Sequence, residues 1–288
     1  MGSLYGYEID SELPLRRLNR APGRRGLVQV RRASNGLDAE AGMVTAYAET
    51  ESGEAVFLAA ETADGCLLSF PASGVFHVRP ATRRISVAPR GPLDEVEHRL
   101  ACSALCTLLA MRGDLVLHAS AVETPNGAVL FCGPSGRGKS TLAHACCQLG
   151  APVLCEDGTV LELSEAGPIA HPGPRGVRLR QLVDGAMRVS LVADPMSVEP
   201  GPCPVHAVAV LDERGAELTV DPLQAVEALV LLTPSLAHTG GRASLGQAFG
   251  LLGSLLQRVP AFRISLPDSL DALPEAALHL LDRPLGSS

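Results

Sequence analysis

Residues 128–149 read AVLFCGPSGRGKSTLAHACCQL. AVLFC is an apolar run of strand length, and TLAHACCQL is helix material that Gly150 stops. Between them, Gly133-Pro-Ser-Gly-Arg-Gly138-Lys139-Ser140 fits the pattern G-x-x-x-x-G-K-[ST], in the strand-to-helix setting that gives the pattern its meaning. Glycines let backbone N–H groups turn inward around phosphate oxygens, and the helix that follows offers its positive end. Lys139 reaches terminal phosphates as a point charge on a flexible stem. The Ser140 hydroxyl can coordinate Mg²⁺. The chain's own Gly, Lys and Ser/Thr frequencies make a chance match about a one-in-a-thousand event. Lysine usage points the same way: of 24 basic residues, 23 are Arg and one is Lys, and that one is Lys139. The stretch therefore predicts a phosphate-binding loop, with Gly133, Pro134, Ser135, Gly136, Arg137, Gly138, Lys139, Ser140 and Thr141 around a nucleotide.

Outward from the loop, strands and helices alternate. Leu115–Val122 (LVLHASAV) predicts a strand, and the turn Pro125-Asn126-Gly127 joins it to the strand Ala128–Cys132. Ala151–Cys155 and Thr159–Leu163 predict strands on either side of Glu156-Asp157-Gly158. His206–Leu211 and Ala261–Leu266 are also strand-like, and Pro222–Leu232 and Gln247–Leu255 are helical. Residues 164–204 are rich in Pro, Gly and Arg without a clear period. They read as a long loop, a length that is uncommon unless functional.

On the N-terminal side, apolar residues at 93, 96, 100, 104, 105, 108 and 109 form one helical stripe. Asp94, Glu95 and Glu97 fall in its first turn, where they suit the helix dipole. Residues 1–92 are β-rich: GLVQVRRAS, GMVTAYAET, EAVFLAA, CLLSF, VFHVRP and RRISVAP are short runs between Gly, Ser, Asn and Asp. The expected organisation is a β-rich N-terminal domain over 1–92 and an α/β P-loop domain over 93–288.

Composition narrows the function classes. Apolar residues make up 46% and charged residues 19%, which supplies a core and argues against disorder. A net charge of −7 argues against a general polyanion binder, so no nucleic-acid partner is expected. No apolar run reaches spanning length and no signal-peptide core shows, so no membrane partner is expected. The eight Cys sit in apolar runs without paired zinc spacings. They read as buried free thiols of a cytoplasmic protein.

Two acidic pairs can complete a phosphate site. Glu156-Asp157 ends the strand that follows the loop's helix. Asp212-Glu213 ends HAVAVL, which looks like the metal-binding strand end of an ordinary ATPase, although Asp-Glu-Arg-Gly is also turn material. The first pair is preferred for its place beside the loop. Arg137, and Arg175, Arg178 and Arg180 of HPGPRGVRLRQ, can lend charge to a phosphate or grip a carboxylate, or be solvated arginines. Taken alone, His118 reads as an ordinary strand histidine.

Taken together, His118, the loop 133–140 and Glu156-Asp157 resemble the catalytic domain of the HPr kinase/phosphorylase family. There a strand carrying His precedes the P-loop and an acidic pair follows its helix. His118 lies fifteen residues before Gly133, and the acidic pair begins seventeen after Lys139. LHASAV and GPSGRGKSTLA are similar to a divergent branch of that family found in peptide natural-product pathways, including lasso-peptide kinases. In that branch too a β-rich region precedes the kinase domain. The resemblance implies an HPr kinase-like fold that uses ATP and Mg²⁺. It implies Lys139 at the phosphates, Ser140 and Glu156 at the metal, Asp157 as general base toward an acceptor hydroxyl, and His118 in support of the acidic pair. Glu156 stands where the family usually has Asp. Of the family's downstream E-I-R-G motif only Arg175-Gly176 is present, so phosphorolysis is not implied.

The activity implied is transfer of the γ-phosphate of ATP to a serine or threonine hydroxyl of a peptide or small protein in peptide natural-product biosynthesis, with a homo-oligomer allowed. Two other readings stay open from the residues: a P-loop ATPase using Asp212-Glu213, and a non-catalytic nucleotide-binding regulatory partner.

Overall fold

The short alternating runs at the start of the chain become strands in a computed structural model. The structure describes residues 2–33, 37, 42–49, 55–183, 186–192, 199–236, 242–282 and 285, with backbone alone at 47, 49, 180–183, 186–192 and 242–244. The first eight strands are β1 (Gly2–Leu4), β2 (Tyr7–Ser11), β3 (Leu27–Arg32), β4 (Met43–Glu49), β5 (Ala55–Thr62), β6 (Gly65–Phe70), β7 (Gly74–Arg79) and β8 (Arg84–Pro89). They make one sheet in the order β1-β2-β3-β8-β7-β6-β5-β4. The run from β4 to β8 is an antiparallel meander, whereas β3 lies parallel to β2 and to β8. Alternation sets which face is buried: Val28 and Val30 of β3 and Ile85 and Val87 of β8 point inward, and Val30 pairs with Ile85.

The apolar stripe at 93–109 becomes one continuous helical run. It comprises α1 (Leu93–Arg99), a π-helical segment Leu100–Leu105, and α2 (Cys106–Met111). The run packs on β7 and buries Val96, Leu100, Leu105, Leu108 and Leu109. Full burial of a leucine contributes about 1.5–3 kcal/mol. Glu97 departs from its expected role at the helix dipole. It is buried, and its Oε1 accepts the backbone N–H groups of Arg16 and Arg17 at 2.6 Å each. Because this helical run belongs with the first sheet, the compact units divide after Val116 and not at residue 92. The first unit is Met1–Val116 with Ala237–Ala248, and the second is Leu117–Leu236 with Phe249–Ser288.

The chain continues through β9 (Leu115–Leu117), β10 (Ser120–Thr124), β11 (Gly127–Cys132), α3 (Lys139–Gln148), β12 (Val153–Cys155), β13 (Thr159–Ser164), β14 (Gly167–His171), β15 (Val177–Val183), β16 (Ala186–Val192), β17 (Cys203–Leu211), β18 (Thr219–Leu223), α4 (Ala225–Leu232), α5 (Arg242–Leu256), β19 (Ala261–Ser265) and α6 (Leu273–Asp282). In the second unit the strands follow the order β12-β10-β11-β17. The start of β17 then pairs with β14, and its end with β19. α3 packs against α6 over this sheet, around Val122, Phe131, Leu142, Ala207, Ala209 and Ile264.

The second unit corrects three expectations. LVLHASAV is two strands with a bend at His118-Ala119, where the His118 N–H leaves any ladder and donates to Ser235 O at 2.7 Å. Residues 164–204 are not a long loop, because β14 and the antiparallel ribbon β15–β16 lie within them. Val177 and Leu179 of that ribbon bury themselves in the same core as Leu142 and Cys146. Pro222 belongs to β18, not to a helix; β18 pairs with β19 alone, so an edge position absorbs the missing N–H. The sequence pattern also gave no sign of α6, whose Leu273, Ala277 and Leu280 complete the core. All eight cysteines are free and buried. Among the described residues no helix is long and apolar enough to cross a membrane.

Candidate functional site

Strand direction gathers the candidate residues. β11 and β17 run parallel, as do β17 and β19, and they end at Cys132, Leu211 and Ser265. β10 is antiparallel to both β11 and β12, so β12 points the same way as β11 and ends at Cys155. The reversed β10 begins at Ser120, two residues after His118. His118, the loop 133–138, the turn 156–158 and residues 212–214 therefore share one edge of the sheet. It is the carboxyl edge of the parallel strands, where open α/β sheets bind ligands.

Backbone geometry explains the glycines at the two ends of the loop. Gly133 has φ +135, and a Cβ there would stand 2.8 Å from the carbonyl oxygen of Leu211. Only glycine lets the loop run this close to β17. Gly138 has φ +99 and is the N-cap of α3. It has no side chain to offer, so the positive end of the helix lies at the loop. Pro134, Ser135 and Gly136 form an exposed tip, while Thr141 is half-buried one turn into the helix. Lys139 is only 6% exposed. Its Nζ donates to Gly133 O at 2.7 Å and to Pro134 O at 3.1 Å, which folds the ammonium back under the loop.

The acidic pair meets the start of α3. Ser140 Oγ donates to Glu156 Oε1 at 2.8 Å, and Glu156 Oε2 accepts the backbone N–H of Arg178 at 3.3 Å. Glu156 is a buried carboxylate, held by a hydroxyl and an amide. Asp157 has φ +101, a conformation that costs a non-glycine residue about 1–3 kcal/mol. Its surroundings hold it there: Asp157 N donates to Ala119 O at 3.3 Å, and Thr159 Oγ1 donates to the same carbonyl at 2.9 Å. His118 Nδ1 lies 2.9 Å from Asp157 O and 3.2 Å from Asp157 Oδ1. As the Nδ1–H tautomer, the ring donates to this residue.

The second acidic pair is engaged differently. Asp212 Oδ1 accepts the Glu213 N–H at 2.8 Å, and Oδ2 accepts Arg263 Nη1 at 2.8 Å. The Glu213 amide and then the Arg263 guanidinium hold its carboxyl below the ordinary carboxylate value. Arg263 also binds Glu227, and Glu213 pairs with Arg137 at 3.2 Å. Arg137 thus leans toward the end of β17. Arg175 pairs with Glu199 at 3.5 Å, and the side chain of Arg180 lies outside the described residues. Sequence reasoning missed the backbone role of Arg178, which it named only for its charge, and missed Arg263 altogether. Arg178 acts through a backbone N–H, which no motif signals, and Arg263 comes from a strand far along the chain. Cys132 and Cys155 end the two strands that carry the loop and the acidic pair, and burial pushes both thiols up to about 12.

No protein-family model matches the chain, and no curated protein matches it. Among solved structures, the Hpr(Ser) kinase/phosphatase from Coxiella burnetii aligns with 58% of this chain and 88% of its own, at 15% identity and a TM-score of 0.33. A superposition this loose says nothing about activity.

Proposed function

We propose that the chain is an ATP-dependent kinase that transfers the γ-phosphate to a serine or threonine hydroxyl of a peptide or small protein, in peptide natural-product biosynthesis. The observation that supports this most is the 2.8 Å hydrogen bond from Ser140 to Glu156. It joins Glu156 to the second residue of the loop's helix, whereas Asp212 is engaged by Arg263. A hydroxyl beside a carboxylate is a set of hard oxygen donors that suits Mg²⁺, so Ser140 and Glu156 would hold the ion. Bound with ATP, it neutralises charge on the phosphates.

The chain's own groups divide the remaining work. Lys139 exchanges the Gly133 and Pro134 carbonyls for phosphate oxygens, assisted by the positive end of α3. Asp157 takes the proton of the acceptor hydroxyl as its oxygen bonds to phosphorus and the bond to the bridging oxygen breaks, with ADP leaving. His118 donates to Asp157 and keeps that carboxylate aimed. The β-rich residues 1–92 present the substrate or dock a partner and add no catalytic group.

An ATPase reading draws on β17, which lies parallel beside β11 and ends at Asp212. The pairing of Asp212 with Arg263 counts against it. The deciding experiment is mass spectrometry of peptides encoded beside this gene after incubation with Mg-ATP. Addition of one phosphate to a serine or threonine is expected. Nucleotide turnover without a peptide, unchanged in Asp157→Asn, would replace the kinase with an ATPase.

A further inference from the structure

The turn between β7 and β8 walls a cavity of about 540 Å³ in the first unit, lined by Leu27, Gln29, Ala81, Thr82, Arg83 and Arg112. None of these residues is acidic, in a chain whose net charge is −7. Arg83 sits at φ +51, a left-handed conformation that favours glycine. Strain of this kind persists where the side chain has work to do. The backbone around it is pinned: Arg83 N donates to Pro80 O at 3.3 Å, and Gln29 N donates to Arg83 O at 2.9 Å. Its Nε is buried and has no hydrogen-bond acceptor among the described residues, so a bound carboxylate is left to the terminal nitrogens of the guanidinium. Arg112 is tied to the same turn by Nη1 donating to Pro80 O at 3.0 Å, which uses one of its five N–H donors.

The volume lies in the range of organic ligands, larger than an inorganic ion needs. Leu27 and Ala81 add apolar wall between the polar groups. We propose that this cavity binds the carboxylates of an acidic peptide segment. Arg83 and Arg112 make charge-assisted hydrogen bonds to the carboxylates, and Leu27 and Ala81 receive the aliphatic stems. That this peptide is also the phosphoryl acceptor rests on the kinase reading; the preference for carboxylates does not.

The test is fluorescence anisotropy with the full chain and labelled triglutamate, with triglutamine and inorganic phosphate as separate arms. Triglutamate is expected to bind saturably and more weakly at high salt. Arg83→Gly and Arg112→Gln are each expected to weaken it about tenfold or more, as loss of a charged hydrogen bond does. Arg83→Gly should melt no lower than the parent, since its φ suits glycine, so its loss of binding would not be unfolding. Lys139→Ala should bind triglutamate like the parent. The proposal is overturned by equal binding of triglutamine, by binding of phosphate but not triglutamate, or by unchanged affinity in both arginine variants. A lower melting temperature for Arg83→Gly, or lost binding in Lys139→Ala, overturns it as well. Absence of phosphoryl transfer alongside intact triglutamate binding would remove the kinase reading alone.

Discussion

His118 and Asp157 meet at two points: Nδ1 of the histidine lies 2.9 Å from the aspartate's carbonyl oxygen and 3.2 Å from its carboxylate Oδ1. One ring thus fixes both the peptide plane and the side chain of a residue at φ +101. Asp157→Asn keeps the shape but takes no proton, so kcat for transfer should fall on the order of 10²–10⁴-fold while Mg-ATP affinity stays near that of the parent. Asp157→Gly should be equally inactive yet melt higher, by about 2–4 °C for each kcal/mol of relieved strain. Single-turnover kinetics and thermal melts check the two halves. Retained transfer in Asp157→Asn would sink the base assignment.

Lys139→Ala should abolish transfer through loss of the charge at the phosphates. Lys139→Arg should be nearly inactive too. Its planar guanidinium cannot take the place of an ammonium folded under the Gly133 and Pro134 carbonyls. Nucleotide binding by calorimetry, with circular dichroism to confirm folding, separates lost affinity from a lost fold. Near-normal transfer in Lys139→Ala would end the phosphate-loop reading.

Glu156→Gln and Asp212→Asn should behave in opposite ways. The glutamine can still accept from Ser140, so the fold should hold while the Mg²⁺ dependence of ATP binding weakens. Asp212→Asn removes a half-buried partner of Arg263 and should leave transfer nearly unchanged. Affinity for ATP measured across a Mg²⁺ titration gives the order of the two variants. An ATPase built on Asp212 requires the reverse order.

Buried thiols give a prediction about pH. Burial raises Cys132, Cys146 and Cys155 from an ordinary 9.0 to about 12. The folded value lies above the unfolded one, so the stability they support is complete below 9.0 and is lost as pH rises toward 12. Melting temperature should therefore decline across that alkaline window. At about pH 8, iodoacetamide should leave these thiols intact in the native chain and label them once denaturant is added. Rapid native labelling, located by mass spectrometry, would contradict their burial.

The strand–loop–helix around Gly133 and Lys139 was legible because turn chemistry and helix stop signals are local. The bend at His118 was not, since it depends on a carbonyl at Ser235, more than a hundred residues away. The stripe at 93–109 told which face would be buried but not what would cover it, so the helix was assigned to the wrong side of the domain division. Within 164–204 the alternation of Val177 and Leu179, and of Val189 and Leu191, around Asp184-Gly185 is a hairpin signal. The density of Pro, Gly and Arg on either side hid it. At the site, position beside the loop brought out Glu156-Asp157 and the family resemblance brought out His118, whereas the amide of Arg178 and the guanidinium of Arg263 carry no sequence mark. Nor does Arg83: nothing in Pro-Ala-Thr-Arg announces a left-handed arginine.

The burial of Lys139 has a consequence for labelling chemistry. It carries the one side-chain amine in these 288 residues, and that amine is folded onto two carbonyls at 6% exposure. Acetylation, ubiquitin attachment and lysine cross-linkers find no exposed lysine in this sequence. An acylating tag on a lysine would mark only molecules whose loop has opened, so its rate reads that opening directly, with no engineered probe.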